Sequence, residues 1–277
     1  MKLIFVTLFI LSGQALHASS VDTVSIFSNS MHKHIACVVI TPNTHLQKRM
    51  EFPVVYLLHG YSGNYANWVQ KVPVLKQYAD TYQMIIVCPD GGYSSWYWDS
   101  PVDSSFRYET HIVKEVVPYI DEHYATAKDR GHRAITGLSM GGHGGLFLAW
   151  RHADIFGACG SMSGGVDINA SRQKYDISKR IGDTLTYADN WKRYAVINII
   201  DKQPSAPLAI MVDCGTEDFF YDINKNLHQK MLRLGIAHDY IERPGKHDWA
   251  YWQNAVGYQL LFFHTYFDSN SGPANSR

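Results

Sequence analysis

The chain has 277 residues, of which 46% are hydrophobic and 18% charged, and its 25 Lys plus Arg balance 25 Asp plus Glu. That length buries a full core and calls for no more than one α/β domain. A formal net charge of zero leaves no basic footprint for nucleic acid and argues against a polyanionic substrate.

Residues 1–18 read as a secretory signal. One positive charge, Lys2, precedes the apolar run Leu3 to Leu11, which is too short for a comfortable membrane span. Small residues at Gly13, Ala15 and Ala18 offer cleavage points, and Gln14 stands where a lipoprotein signal would need cysteine. The mature chain, 19–277, is therefore expected to be secreted or periplasmic, with no membrane anchor. Val21 to Thr41 predicts two strands joined near Asn29-Ser30, an antiparallel hairpin, on the alternation His34 to Ile40.

From Pro53 the pattern changes to continuous apolar runs, each followed by a glycine-containing turn and a helical stretch, as buried parallel strands require. The predicted strands are 54–58, 84–88, 132–136, 157–162, 208–214 and 239–241. Helices over 68–82, 106–124, 142–152, 219–234 and 249–267 supply the crossovers that parallel pairing needs. Between Gly165 and Pro207 no strand pattern occurs, and a structureless loop of that length is unusual. The charged, tyrosine-rich segment at about 166–206 is accordingly predicted to be a small helical cap over the active-site rim. The expected fold is α/β: a mostly parallel central sheet with an N-terminal antiparallel hairpin and helices on both faces.

Cys37, Cys88, Cys159 and Cys214 are even in number, which permits disulfides in an exported protein. Each lies in or beside a strand-like apolar run, where free cysteine behaves as a small core residue, so free thiols are expected. No C-x-x-C spacing points to zinc, and nothing in the sequence calls for a metal, nucleotide or flavin cofactor.

The densest chemical signal is Gly137-Leu138-Ser139-Met140-Gly141, set between a β-branched run and a small-residue helix. In such an elbow the serine occupies a sharp strand-to-helix turn, and the flanking glycines let strand and helix approach. A serine hydroxyl is a weak nucleophile, so it needs a base within hydrogen-bond reach and a carboxylate to orient that base. Both should follow on loops after later strands, at the sheet edge that carries Ser139. Position singles out His247, in Arg243-Pro244-Gly245-Lys246-His247-Asp248-Trp249, as the base. Asp213, Glu217 and Asp218 compete for the acid: Asp213 lies within the strand, Glu217 has the longer reach, and loop placement favours Asp218. An oxyanion hole requires two backbone N–H groups. Met140, just after the nucleophile, provides one, and Tyr61, in the loop after the first central strand, provides the other.

These motifs, Tyr56-Leu57-Leu58-His59-Gly60, Gly137 to Gly142, Cys214-Gly215-Thr216-Glu217-Asp218 and Gly245-Lys246-His247-Asp248-Trp249 with Trp252 nearby, resemble the putative-esterase family of α/β-hydrolases. That family includes feruloyl esterases, tributyrin esterases, S-formylglutathione hydrolases and antigen 85 mycolyltransferases. The resemblance covers almost the whole mature chain and implies nucleophile, acid and base at Ser139, Asp218 and His247, with oxyanion amides at Tyr61 and Met140. The leader argues against the cytosolic formylglutathione hydrolases.

Candidate substrate contacts are His59, Trp96, Tyr97 and Asp99. The aromatics of the loop Pro89 to Ser100 suit sugar or phenolic rings, and Asp99 suits hydroxyl groups, with packing under the cap as the equal alternative. Trp249 and Trp252 are expected to brace the His247 loop, and His143, one turn past Ser139, to be structural. The expected activity is that of a secreted serine carboxylesterase acting through an acyl-enzyme on short acyl or hydroxycinnamoyl esters, small or glycan-linked, such as those on plant polysaccharides. An antigen 85-type acyltransferase and a non-catalytic carbohydrate-binding protein on the same fold are the alternatives.

Overall fold

A computed structural model describes residues 19–45 and 50–271, so the expected signal, 1–18, lies outside the described residues. The chain opens with β1 (Ser20–Ser28) and β2 (Lys33–Thr41), which pair antiparallel as the predicted hairpin. Then come β3 (Val54–Leu58), α1 (Asn67–Lys71), α2 (Leu75–Tyr82) and β4 (Ile85–Pro89). A continuous helix over 68–82 was expected; the structure breaks it, because Pro73 has no N–H to donate and its ring clashes with the preceding turn. Next, α3 (Tyr108–Thr110) runs through a π-wound turn, His111–Val116, into α4 (Val117–His123). The wide turn sits just ahead of Pro118, whose missing N–H interrupts the regular ladder.

The second half holds β5 (Arg133–Gly137), α5 (Met140–Arg151), β6 (Ala158–Met162), the short helices α6 (Ile177–Ile181), α7 (Ala188–Arg193) and α8 (Val196–Ile199), then β7 (Ala209–Gly215), α9 (Tyr221–Arg233), β8 (Asp239–Arg243) and α10 (Trp249–Asn270). These eight strands form one sheet in the order β1-β2-β4-β3-β5-β6-β7-β8, parallel from β4 to β8.

Strand alternation divides the core into two layers. Val54, Tyr56 and Leu58 face the layer under α4, α5 and α9, while Val55 and Leu57 face the layer under α1, α2 and α10. After β3 the chain moves outward to β4, then crosses back over β3 to reach β5. The strand order therefore reverses at the carboxyl ends of β3 and β5, where open α/β sheets form their crevice.

The inserted segment carries short helices, and only part of it stands at the crevice rim. Its short helices pack down the flank of α5: Tyr194 stacks on Phe147 with ring centroids 5.8 Å apart, and the Trp150 Nε1–H donates to the Lys202 carbonyl at 2.8 Å. Trp191, Ala195, Val196 and Ile200 are buried in the α5-side core, so the later part of the segment lies along α5, while Tyr175 in its earlier part stays at the crevice.

All four cysteines are buried and unpaired. Cys37 and Cys88 stand on neighbouring strands but face opposite core layers, so they are unable to bridge. Burial raises every one of these thiols above its ordinary pKa, suppressing the reactive thiolate. Ellman's reagent should therefore titrate no thiol in the native protein and four in guanidinium; a native-state reaction would mark a solvent path that this packing does not contain.

Candidate functional site

Ser139 sits at φ 55°, ψ −114°, a left-handed backbone that non-glycine residues rarely adopt. Flanking hydrogen bonds enforce it: the Ser139 N–H donates to the Met162 carbonyl at 2.9 Å, and the Leu138 N–H to the Leu58 carbonyl at 3.3 Å. A Cβ at Gly137 or at Gly141 would lie 2.5 Å from the Leu58 carbonyl oxygen, so only glycine lets β3, β5 and α5 meet this closely. The hydroxyl is thereby presented at the N-terminus of α5.

The loop after β8 brings His247 to this hydroxyl, with Nε2 2.9 Å from Ser139 Oγ. On its other side His247 Nδ1 lies 3.0 and 2.9 Å from the two oxygens of Asp218. The carboxylate is an acceptor, so Nδ1 carries the proton and Nε2 is free to accept from the serine. The Asp218 side chain is closed to solvent, and the Phe220 N–H holds its Oδ1 at 2.7 Å. Of the three rival carboxylates only Asp218 reaches the imidazole: Glu217 is exposed near Lys246, and Asp213 is buried against Arg243 and Tyr251.

Tyr61 lines the same crevice and Met140 directly follows Ser139 as the first residue of α5; among the described residues neither amide donates to a protein acceptor. Neighbouring bonds set the Tyr61 loop: the Ser62 N–H donates to the Tyr93 carbonyl at 2.8 Å and the Gly63 N–H to the Gly60 carbonyl at 3.1 Å.

The four expected substrate contacts are placed elsewhere. His59 is buried, its Nδ1–H donating to the Gly60 carbonyl at 2.8 Å and its Nε2 accepting from the Gly91 N–H at 2.7 Å; burial lowers its pKa and keeps it neutral. It bolts two loops together. Trp96 and Tyr97 occupy consecutive left-handed positions, φ 57° and 60°, which turn both rings inward, to 1% and 0% exposure. The Trp96 Nε1–H donates to the Tyr175 carbonyl at 3.0 Å, and the Tyr97 hydroxyl to the His59 carbonyl at 3.0 Å. Asp99 accepts from the Thr110 N–H at 2.9 Å and pairs with Arg107 at 3.1 Å, anchoring α3.

The cleft beside Ser139 measures about 250 Å³ and is walled by Tyr61, Asn67, Tyr175, Phe219, Trp249 and Trp252. A larger groove, about 650 Å³, lies at the far end of α5 beside Trp150 and Lys202 and holds none of these groups. Trp252 meets the His247 ring edge-on at 4.9 Å and braces it, while Trp249 abuts Trp68 and also faces the cleft. Tyr175 and Phe219 were not anticipated. Phe219 carried a signal, since it directly follows Asp218; it is 63% exposed and its ring lies 4.2 Å from that of His247. Tyr175 reaches the cleft from the inserted segment, which has no periodicity to place it. Among the described residues no group of three His, Cys, Asp or Glu side chains is arranged to hold a metal ion.

Behind the elbow His143 is fully buried, accepting from the Trp98 Nε1–H at 3.1 Å and donating through Nδ1 to the Gly165 carbonyl at 3.0 Å.

Comparison with known proteins gives a coherent set of relatives. The family model described as "Putative esterase" matches residues 28–263. An acetyl esterase of Caldicellulosiruptor saccharolyticus is 24% identical over 253 residues, covering 84% of this chain and 94% of that protein. The diacylglycerol acyltransferase/mycolyltransferase Ag85B of Mycobacterium leprae is 32% identical over 152 residues, 50% of this chain and 45% of that protein. The solved structure of a ferulic acid esterase superposes with a TM-score of 0.77 at 31% identity, covering 91% of this chain and 99% of that one. The fold is that of the α/β-hydrolases.

Burial lowers the His143 pKa from 6.5 to about 4, so the unfolded chain takes up this proton at a higher pH than the native one. Its contribution to stability is full above pH 6.5 and drains as pH falls towards 4, about 3 kcal/mol in all. Urea unfolding at pH 7 and pH 4.5 should show a loss that is smaller in His143→Gln; equal losses in both proteins would contradict the assignment.

Proposed function

Because the chain belongs to the putative-esterase family and is a carboxylic-ester hydrolase, we propose that it is an exported serine esterase working through an acyl-enzyme on Ser139. The observation that carries this reading is the hydrogen-bonded series Ser139, His247, Asp218, set beside two amides without protein acceptors. Ser139 Oγ attacks the ester carbonyl carbon while His247 Nε2 takes its proton, and Asp218 stabilises the resulting imidazolium. The oxyanion accepts from the Tyr61 and Met140 N–H groups, at the positive end of the α5 dipole. Collapse breaks the carbon–alkoxy bond, His247 returns the proton to the departing alcohol, and water repeats the sequence to release the acid.

The substrates in this reading are short acyl or hydroxycinnamoyl esters, free or on plant polysaccharide. A small cleft with five aromatic walls, Tyr61, Tyr175, Phe219, Trp249 and Trp252, supports a compact planar acyl group. Among the relatives, an acetyl esterase and a ferulic acid esterase point the same way. Export rests on the leader-like text of residues 1–18, and no helix among the described residues is long and apolar enough to cross a membrane; retention inside the producing cells with residues 1–18 uncleaved would count against it. Acyl transfer is the second reading, favoured by the Ag85B match. The cleft volume weighs against a long lipid acyl group, and product analysis with added acceptor alcohols separates transfer from hydrolysis.

Fluorophosphonate should label the protein at Ser139, and Ser139→Ala should abolish labelling, which would also eliminate a purely carbohydrate-binding role. Ser139→Ala and His247→Ala should lower kcat by roughly 10⁴- to 10⁶-fold and Asp218→Asn by about 10⁴-fold. In a comparison of methyl ferulate, acetylated xylo-oligosaccharide and p-nitrophenyl esters of rising chain length, turnover should favour the first two and the shortest acyl groups. Preference for long acyl chains would refute the substrate reading.

A further inference from the structure

Asp213, once a rival for the catalytic acid, is fully buried at the carboxyl end of β7 and is absent from the cleft. Its carboxylate accepts from Arg243 Nη2 at 2.8 Å on Oδ2 and 3.2 Å on Oδ1, and from the Tyr251 hydroxyl on Oδ1. Those donors bracket the His247 loop: Arg243 ends β8 four residues before the histidine, and Tyr251 lies in the first turn of α10 four residues after it. The Arg243 guanidinium also lies over the rings of Tyr251 and Tyr258, at 5.1 and 4.3 Å.

The acid loop is tied to the same point. Asp213 precedes Asp218 by one short turn, whose Thr216 and Glu217 N–H groups donate to the Arg243 and Gly245 carbonyls at 2.8 and 2.9 Å. The Asp213 carbonyl accepts from the Ser163 N–H at 2.8 Å, and Ser163 Oγ accepts from the Trp252 Nε1–H at 3.2 Å; Trp252 is the ring set edge-on against His247. Loops bearing acid and base thus converge on one residue, Asp213.

An ion pair here is not the cheapest way to fill the space. Desolvation pushes Asp213 up to about 6, against the pull of Tyr251 and Arg243, and apolar replacement of such buried pairs is commonly neutral or stabilising. What the pair supplies that an apolar contact does not is direction, because two donors at two chain positions must share two oxygens.

We infer that Asp213 is a positioning residue that, through Arg243 and Tyr251, clamps both ends of the His247 loop and so sets the His247 ring between Asp218 and Ser139. This inference rests on the serine-esterase reading. It differs from a generic stabilising ion pair in acting on the chemical step and leaving substrate binding alone.

The test uses Asp213→Asn and Tyr251→Phe in the full chain, below their melting temperatures, with p-nitrophenyl acetate kinetics and proton NMR of the His247 Nδ1–H. Each variant should lower kcat about 10- to 100-fold, as a sub-ångström misplacement of a base does, and weaken or broaden the Nδ1 proton signal. KM should stay within about two-fold. The double variant should be no worse than Asp213→Asn alone, since both remove the same clamp. Tyr251→Phe keeps its ring and loses one hydroxyl, so it decides the matter if Asp213→Asn does not fold. Lower melting temperature with unchanged kcat and proton signal would overturn the clamp, as would a loss expressed in KM alone. If the unaltered protein hydrolyses no ester, the esterase reading fails, and the proton signal still tests the clamp without turnover.

Discussion

The carbonyl oxygen of Leu58, at the end of β3, sits where the two halves of the crevice meet. It accepts from the Leu138 N–H at the end of β5 and from the indole N–H of Trp68 at the start of α1. The same oxygen occupies the space that side chains at positions 137 and 141 would need. The elbow therefore exists because two parallel strands end side by side and only hydrogen atoms separate their next residues. The strained backbone of Ser139, the entry angle of α5 and the position of the Tyr61 loop all follow from that close approach.

Behind this contact the molecule buries two histidines and pairs both ring nitrogens of each. His59 and His143 are both held neutral by burial, each with one nitrogen donating and one accepting. In a low-dielectric interior such fully paired groups fix geometry more sharply than apolar contacts do. They explain how loops after four different strands keep a common register at the crevice: His59 joins the loops after β3 and β4, and His143 joins α5 to the loop after β6.

Much of this architecture was legible in the sequence where a local rule had no competitor. The run Val54 to Leu58 is apolar on both faces because both faces are covered, and the turn after each parallel strand announces itself with glycine. The elbow, Asp218 and His247 were readable because chemistry restricts both residue type and chain order. The aromatic loop was not: Trp96 and Tyr97 look like ligands in one dimension, and only their left-handed backbone turns them inward. Likewise the segment 166–206 has helical text without a visible partner, and its destination along α5 depends on Phe147 and Trp150, distant in sequence. Phe219 and Tyr175 reach the cleft through loop geometry, which leaves no periodic trace.

His247 follows β8, an edge strand bonded only to β7. Edge strands open at lower free energy than central ones. Separation of β8 from β7 removes the His247 imidazole from Ser139 while the elbow, bound into the centre of the sheet by β3 and β6, keeps its shape. The pairing of Ser139 with His247 is thus bounded by the opening free energy of one margin of the sheet, below the global stability of its core, and amide exchange in β8 relative to β5 reads that difference directly.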